Sequence, residues 1–345
     1  MKSLSKAIAA VAIAAATLGL TSCSDNPSST SPVEGNWEDV VAAANKEGSV
    51  LLYSSQKPAN LETLKTAFHA KYPQITLDVV RGTDVDLSPR VETENRIGKG
   101  TADVHMLADA RWIENAANSG TYSTALVGPD LKAPEYEPEK SVINDRFFLT
   151  SAAVFGMGWN TDTVPNGLQT PQDVINPAYR GKIGVVNPSG SATYTDLYRY
   201  YAKTYGEDYW SKLAELQPRV YTSALGVAQA LTSGEIAVSP TVQPLVTEVD
   251  AGAPVGWTLP ASPWGTRWYS QVLSVAPHPN AAQVLANFMV SREGQAALNS
   301  GYAAVLPDVP GAVARAQDID SPDTADLAPE KIEQYTQEWA KLFQR

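Results

Sequence analysis

Residues 49–80 leave the chain few folds to choose from. Residues 49–53 (SVLLY) read as a strand buried on both faces. Asn60 is placed to cap the helix that follows, whose Leu61, Leu64, Phe68 and Tyr72 form one apolar stripe before Pro73 stops it. Residues 75–80 then alternate as a second strand. A strand, a helix and a strand in that order share a sheet in parallel, through a right-handed crossover. The unit therefore predicts an α/β fold, and in open sheets of this class ligands sit beyond the carboxyl ends of the strands. Ser54, Ser55 and Gln56 follow the first strand directly and become the first candidate ligand residues.

The same pattern returns at residues 181–201 (GKIGVVNPSGSATYTDLYRYY). A short strand at 182–186 meets a tight turn at 187–191 and then a helix that Ser189 or Ser191 can cap. Free N–H groups, the helix dipole and a glycine that admits close approach make such a turn suited to an anion or carboxylate. Ser189, Gly190, Ser191, Thr193 and Tyr194 are candidates here; Tyr194, Tyr198, Tyr201 and Tyr205 follow helical spacing, so most of that stripe reads as core. Residues 102–107 (ADVHML) form another strand, running into Asp109, Ala110 and Arg111. The strand at 236–239 carries Ser239, Thr241 and Gln243 at its polar end. Residues 147–159 are an apolar run long enough to cross between two lobes. Trp257, Trp264, Trp268 and Tyr269 are dense around a further β-rich stretch, where they pack a hinge or wall a cleft; Trp264 is the candidate among them, and Arg267 and Arg111 are candidate cations. Asn280 caps a helix with Val284, Leu285, Phe288 and Met289 inward, and a last helix starts near Pro329 and buries Ile332, Tyr335, Trp339 and Leu342.

With 345 residues the chain can hold two cores, and a net charge of −11 argues against a nucleic-acid partner. Lys2 and Lys6 precede an apolar run at 7–20 that is too short for an ordinary membrane span. That run ends in Leu20-Thr21-Ser22-Cys23, which resembles the lipobox of bacterial lipoproteins. The resemblance implies a signal peptide over 1–22 and a lipid on Cys23, followed by a Ser/Pro-rich tether to residue 35. Cys23 is the only cysteine, so no internal disulfide is available. His69, His105 and His278 match no metal spacing, and no G-x-S-x-G or H-E-x-x-H occurs, so the chain does not read as an enzyme and implies no cofactor or metal. Asp84/Asp86 and Glu92/Glu94 read as solvated loop charge.

Seven segments in order, VLLYSS, AFHAKYP, ADVHMLADA, GWNTDTV, PAYRGKIGVVNPSGSATY, SGEIAV and NAAQVLANFMVSREGQAAL, make the chain similar to the bacterial extracellular solute-binding proteins of ABC importers. The branch it resembles includes ferric-ion, thiamine and organophosphonate binders. The resemblance implies a two-lobed periplasmic-binding-protein clamshell, each lobe a mixed, mostly parallel sheet flanked by helices, with a hinge of crossing strands. Lobe 1 would hold 36–149 plus 273–318, and lobe 2 would hold 150–272 plus 319–345. It places the ligand loops on Ser54-Ser55-Gln56, Asp109-Ala110-Arg111, residues 189–193 and residues 239–243. The implied role is to capture a small polar ligand, a small organic anion or zwitterion, outside the cytoplasmic membrane and deliver it to a membrane permease, as a lipid-anchored monomer. Residues 237–247 (AVSPTVQPLVT) lack the adjacent tyrosines of ferric-ion binders, and YSSQK lacks the histidine of some of them. Ferric-ion or thiamine binding by the same fold, and ligand sensing through a membrane kinase, are the alternatives.

Overall fold

The computed structural model describes residues 31–190 and 192–343. Cys23, the segment before it, much of the tether and Ser191 lie outside the described residues. Helix α1 (Trp37–Glu47) opens on a reciprocal cap in which Asn36 Oδ1 accepts from the Asp39 N–H at 2.9 Å and Asp39 Oδ2 accepts from the Asn36 N–H at 3.1 Å. It closes at Gly48, whose φ of 74° is left-handed.

Strand β1 (Ser49–Ser54), helix α2 (Pro58–Lys71) and strand β2 (Thr76–Arg81) form the expected parallel unit, with Ser49 opposite Thr76 and Ser54 opposite Arg81. The cap is a correction. Pro58 starts α2 with Lys57 as its N-cap, and Asn60 lies buried inside the helix, where its Nδ2 donates to the Leu298 carbonyl at 2.7 Å. Helix α3 (Asp84–Arg96), strand β3 (Val104–Leu107) and helix α4 (Ala110–Ser119) follow, β3 pairing parallel to β1 on its other side. The acid pairs also need correction. Glu94 is only 7% exposed and accepts from the Tyr53 hydroxyl at 2.9 Å, the Arg90 guanidinium at 3.1 Å and the Thr101 N–H at 2.8 Å. These are structural bonds, and Asp84 is likewise half-buried and bonded.

After α5 (Pro138–Ser141) and β4 (Val142–Ile143), the 14-residue strand β5 (Phe147–Asn160) runs buried through almost its whole length. The chain then builds β6 (Gly184–Val186), α6 (Ala192–Tyr205), α7 (Tyr209–Glu215), β7 (Arg219–Tyr221), α8 (Ala224–Thr232), β8 (Val238–Val242), α9 (Val246–Asp250) and β9 (Val255–Thr258). Strand β10 (Trp264–Val272) returns antiparallel along β5 and ends beside β3. Helix α10 (Pro279–Val290) is buried at all twelve positions; Pro279 starts it, and Asn280 lies inside it, bonded to Glu47, not at its cap. The chain closes with α11 (Arg292–Leu298), β11 (Ala303–Ala304), β12 (Ala314–Arg315) and α12 (Pro329–Phe343).

Strand β5 organises the mixed sheet. Its first part pairs with β4, β10 and β11, and its last residues pair with β8 and β9, all antiparallel. Among the described strands, parallel pairing joins β1 with β2 and β3, β6 with β7, and β11 with β12, and isolated parallel bridges link Ile183 to Val238 and Trp264 to Asp320. One core gathers Leu52, Phe68, Val104, Val154, Val272, Phe288 and Ile319. A second gathers Phe155, Val185, Tyr198, Trp210, Val238, Trp264 and Trp339. Core membership thus changes between Val154 and Phe155 on β5, and from Trp264 to Val272 along β10. Trp159 packs across β9, where a Cβ on Gly256 would meet its ring at 2.3 Å, so no larger residue fits there.

Candidate functional site

The loops after β1, β2 and β3 meet at one place. Ser54 and Gln56 are fully buried, and Ser54 Oγ accepts from the Gln56 N–H at 3.2 Å. Gln56 Nε2 donates to Ser151 Oγ on β5 at 3.3 Å, and its Oε1 is buried with no partner. Ser55 Oγ accepts from the Trp268 indole N–H of β10 at 3.1 Å. Asp84 Oδ2 accepts from the Ala108 N–H at 2.9 Å. Burial raises this carboxyl above its ordinary value, while the Ser55 hydroxyl and the Ala108 and Asp109 amides pull it back. Asp84 therefore ties the loop after β1 to the loop after β3. Asp109 spends its side chain capping α4, accepting from the Trp112 N–H at 3.0 Å. Ala110 opens α4 and lines a cavity of about 90 Å³ with Ala108, Thr266, Tyr269 and Pro322. Arg111 is exposed and donates to the Leu327 carbonyl at 3.3 Å.

A second pair of loops is fastened by α6. Residues Pro188–Gly190 make one 3₁₀ turn, with Asn187 Oδ1 accepting from the Ser189 N–H at 2.9 Å. Tyr198 sits fully buried two turns into α6, and its hydroxyl accepts from the Val186 N–H at 3.0 Å and donates to the Val186 carbonyl at 2.6 Å. Tyr201 donates to the Pro240 carbonyl at 2.7 Å, so α6 grips the end of β6 and the middle of β8. Ser239 and Thr241 are buried, with Ser239 Oγ accepting from the Thr241 N–H at 3.4 Å, and Gln243 is half-buried. Thr193 is half-buried on the first turn of α6, and Tyr194 packs edge-on against Phe155 at 5.3 Å. The tyrosine stripe is core as expected, and its hydroxyls also hold these strands in place.

Trp257 joins the two pairs. Its ring packs against the first core and against a smaller cluster of Val186, Leu231, Ile236 and Val242, and its N–H donates to the Val242 carbonyl at 3.1 Å. Trp264 is placed differently from the expectation. It is 1% exposed in the second core, and its N–H donates to Asp196 Oδ2 at 3.1 Å. The aromatic surface beside the β1 loop comes instead from Trp268 and Tyr302, edge-to-face at 5.3 Å. Arg267 is also committed elsewhere, donating to the Gln317 and Ile319 carbonyls at 3.1 and 2.6 Å.

Tyr302 and two further residues absent from the sequence reading complete this wall. Arg81 lies beside Ser54 in the β1–β2 register and donates through Nε to the Gln56 carbonyl at 2.9 Å. Lys57 places its ammonium 5.1 Å from the Tyr302 ring centroid. Arg81 could have been found from the strand-end rule, since it closes β2. Tyr302 carried no local signal. Among the described residues, no group of three or more His, Cys, Asp or Glu side chains could hold a metal ion.

A model of the family described as bacterial extracellular solute-binding protein matches residues 100–328. The fold is similar to iron-bound HitA from Pseudomonas aeruginosa, with a TM-score of 0.62 at 20% identity over 85% of this chain and 99% of that one. It is also similar to AfuA from Actinobacillus pleuropneumoniae with exogenous fructose-6-phosphate bound, at 0.58 and 17% over 86% and 99%. The substrate binding protein of an ABC transporter from Agrobacterium tumefaciens gives 0.65 and 15% over 88% and 97%. At these identities the likeness establishes a common fold. Among curated proteins none matches the chain.

Proposed function

The chain belongs to the bacterial extracellular solute-binding proteins, the solute-capturing components of ABC importers that work in the periplasm or at the cell surface, and from that premise we propose that it binds a small organic anion or zwitterion. The ligand would be a carboxylate, a phosphonate or a phosphate ester, held between a first lobe of 36–149 plus 273–318 and a second of 150–272 plus 319–345. Hinge bending about β5 and β10 would close one lobe on the other. The observation that carries the reading is the makeup of the converging loops. Ser55, Gln56, Ser189, Thr193 and Gln243 supply hydroxyls, amides and a helix start, and these are donors and acceptors for a polar anion. A hard trivalent ion would call for free phenolate or carboxylate oxygens on those loops, and the carboxylates of Asp84 and Asp109 already accept backbone N–H groups. The anchor would be lipid on Cys23, the working form a monomer, and the chain would carry out no chemistry on its ligand.

A thermal-shift panel on the chain from Ser24 tests this with ferric ion, thiamine, polyamines, phosphonates, phosphate esters, sugars and carboxylates. A ligand at a hundred times its dissociation constant adds about 2.7 kcal/mol, well within reach of the method. Stabilisation by phosphonates, phosphate esters or carboxylates is expected. Stabilisation by ferric ion or thiamine instead, or turnover of the bound compound, would overturn the anion assignment.

A further inference from the structure

Two cations beside the candidate loops, with no carboxylate within ion-pair distance of either, are suited to an incoming anion. Lys57 and Arg81 are such a pair. Both are exposed, both stand at carboxyl ends of adjacent parallel strands, and neither takes part in any of the ion pairs found among the described residues. Their heads are held in place. The Gln56 carbonyl takes Arg81 Nε at 2.9 Å, which fixes the plane of the guanidinium and leaves its two terminal nitrogens for another partner. The Tyr302 ring lies 5.1 Å from Lys57 Nζ, and Trp268 backs that ring at 5.3 Å. Partial loss of water lowers the Lys57 ammonium, and the carboxylate that acts against this is Glu248, on α9. Glu248 falls within the proposed second lobe, so a ligand held between the lobes would take its place beside Lys57. Next to the pair lies Gln56 Oε1, buried and without a donor.

We propose that Lys57 and Arg81, backed by Tyr302, hold the charged end of the solute on the first lobe, and that this end is a dianion, a phosphate monoester or a free phosphonate bearing a hydroxyl or amine for Gln56. Two cations, one held over the Tyr302 ring and one on the Gln56 carbonyl, match two negative charges, and a monoanion would leave one of them without a partner. The start of α6 would then meet the remainder of the solute. This inference rests on the solute-binding reading above and assigns the charge within it.

The test uses inorganic phosphate and glycerol 3-phosphate at pH 8, with sodium chloride of the same ionic strength as the reference. Affinities are read from thermal shifts in the unaltered chain, Lys57→Gln, Arg81→Gln and Arg81→Lys. Both side chains are exposed, so the variants should fold. Both dianions should stabilise the unaltered chain above chloride, each Gln variant should weaken them at least tenfold, and Arg81→Lys should recover part of the loss. General salting-out by phosphate would act on all four proteins alike. Equal responses in all four, or no response beyond chloride, would overturn the assignment. Solute binding fails by a different route, if deleting the protein leaves every uptake rate unchanged. A solute bound equally well by both Gln variants would keep that reading and remove the Lys57–Arg81 subsite.

Discussion

At the scale of single residues, Asp196 shows most plainly how burial sets chemistry. It is 6% exposed, and burial pushes its carboxyl up to about 6, with the Trp264 N–H and then Arg199 opposing the shift. A folded value above the unfolded one means that the fold prefers the protonated form. That contribution is whole below the unfolded value of 3.8 and is lost as pH rises through about 6. Asp196→Asn keeps an acceptor for Trp264 and removes the charge. It should add about 1–3 kcal/mol to the unfolding free energy at pH 7.5 and almost nothing below pH 4. Denaturant melts at the two pH values check this, and an equal effect at both would refute it. His105 works in the opposite direction, since burial holds its imidazole down to about 3. Stability from that group is present above its ordinary value of 6.5 and drains away in acid.

At the scale of elements, α3 was invisible in the sequence although it positions the candidate site. Pro89 sits inside it and its apolar residues are few, so neither helix propensity nor periodicity marks it. Its two ends do separate work: Asp84 links two candidate loops, and Glu94 anchors β1 from behind. Burial raises Glu94, but the Thr101 amide, the Tyr53 hydroxyl and the Arg90 guanidinium together hold it below its ordinary value. Glu94→Ala should cost about 2–4 kcal/mol by stranding those donors, measured as the shift in denaturant midpoint; a loss under half of one kcal/mol would contradict the role given to it. The legible elements were those with strong local signals, such as the β1–α2–β2 unit, the Gly48 stop and the Pro329 start of α12. Asn60 and Asn280 misled because a proline just before each already starts the helix, which freed both amides for partners far along the chain. The Trp268–Tyr302 wall was illegible for a related reason: no spacing rule brings residues from distant elements to one ring contact.

At the scale of the whole molecule, β5 and β10 do not simply tether two lobes, because each contributes buried side chains to both cores. Unfolding one lobe strips the pairing partners from the other. We expect a single calorimetric transition whose measured enthalpy equals the van't Hoff value. Two resolved peaks would show that the shared strands do not couple the lobes. Ligand should move that one peak without splitting it.

The path of the chain through these strands also governs when folding can finish. Helix α10 is buried at every position, yet it is made only after residues 150–272 and both crossings. Until it arrives, the sheet face it covers stays wet, and the first lobe has no complete interior to collapse around. Closing such distant contacts is entropically slow. A protein that works beyond the cytoplasmic membrane and is exported unfolded must stay an open thread until it has crossed. Placing the keystone of the first lobe near the end of the polypeptide keeps that thread loose until most of it has been synthesised.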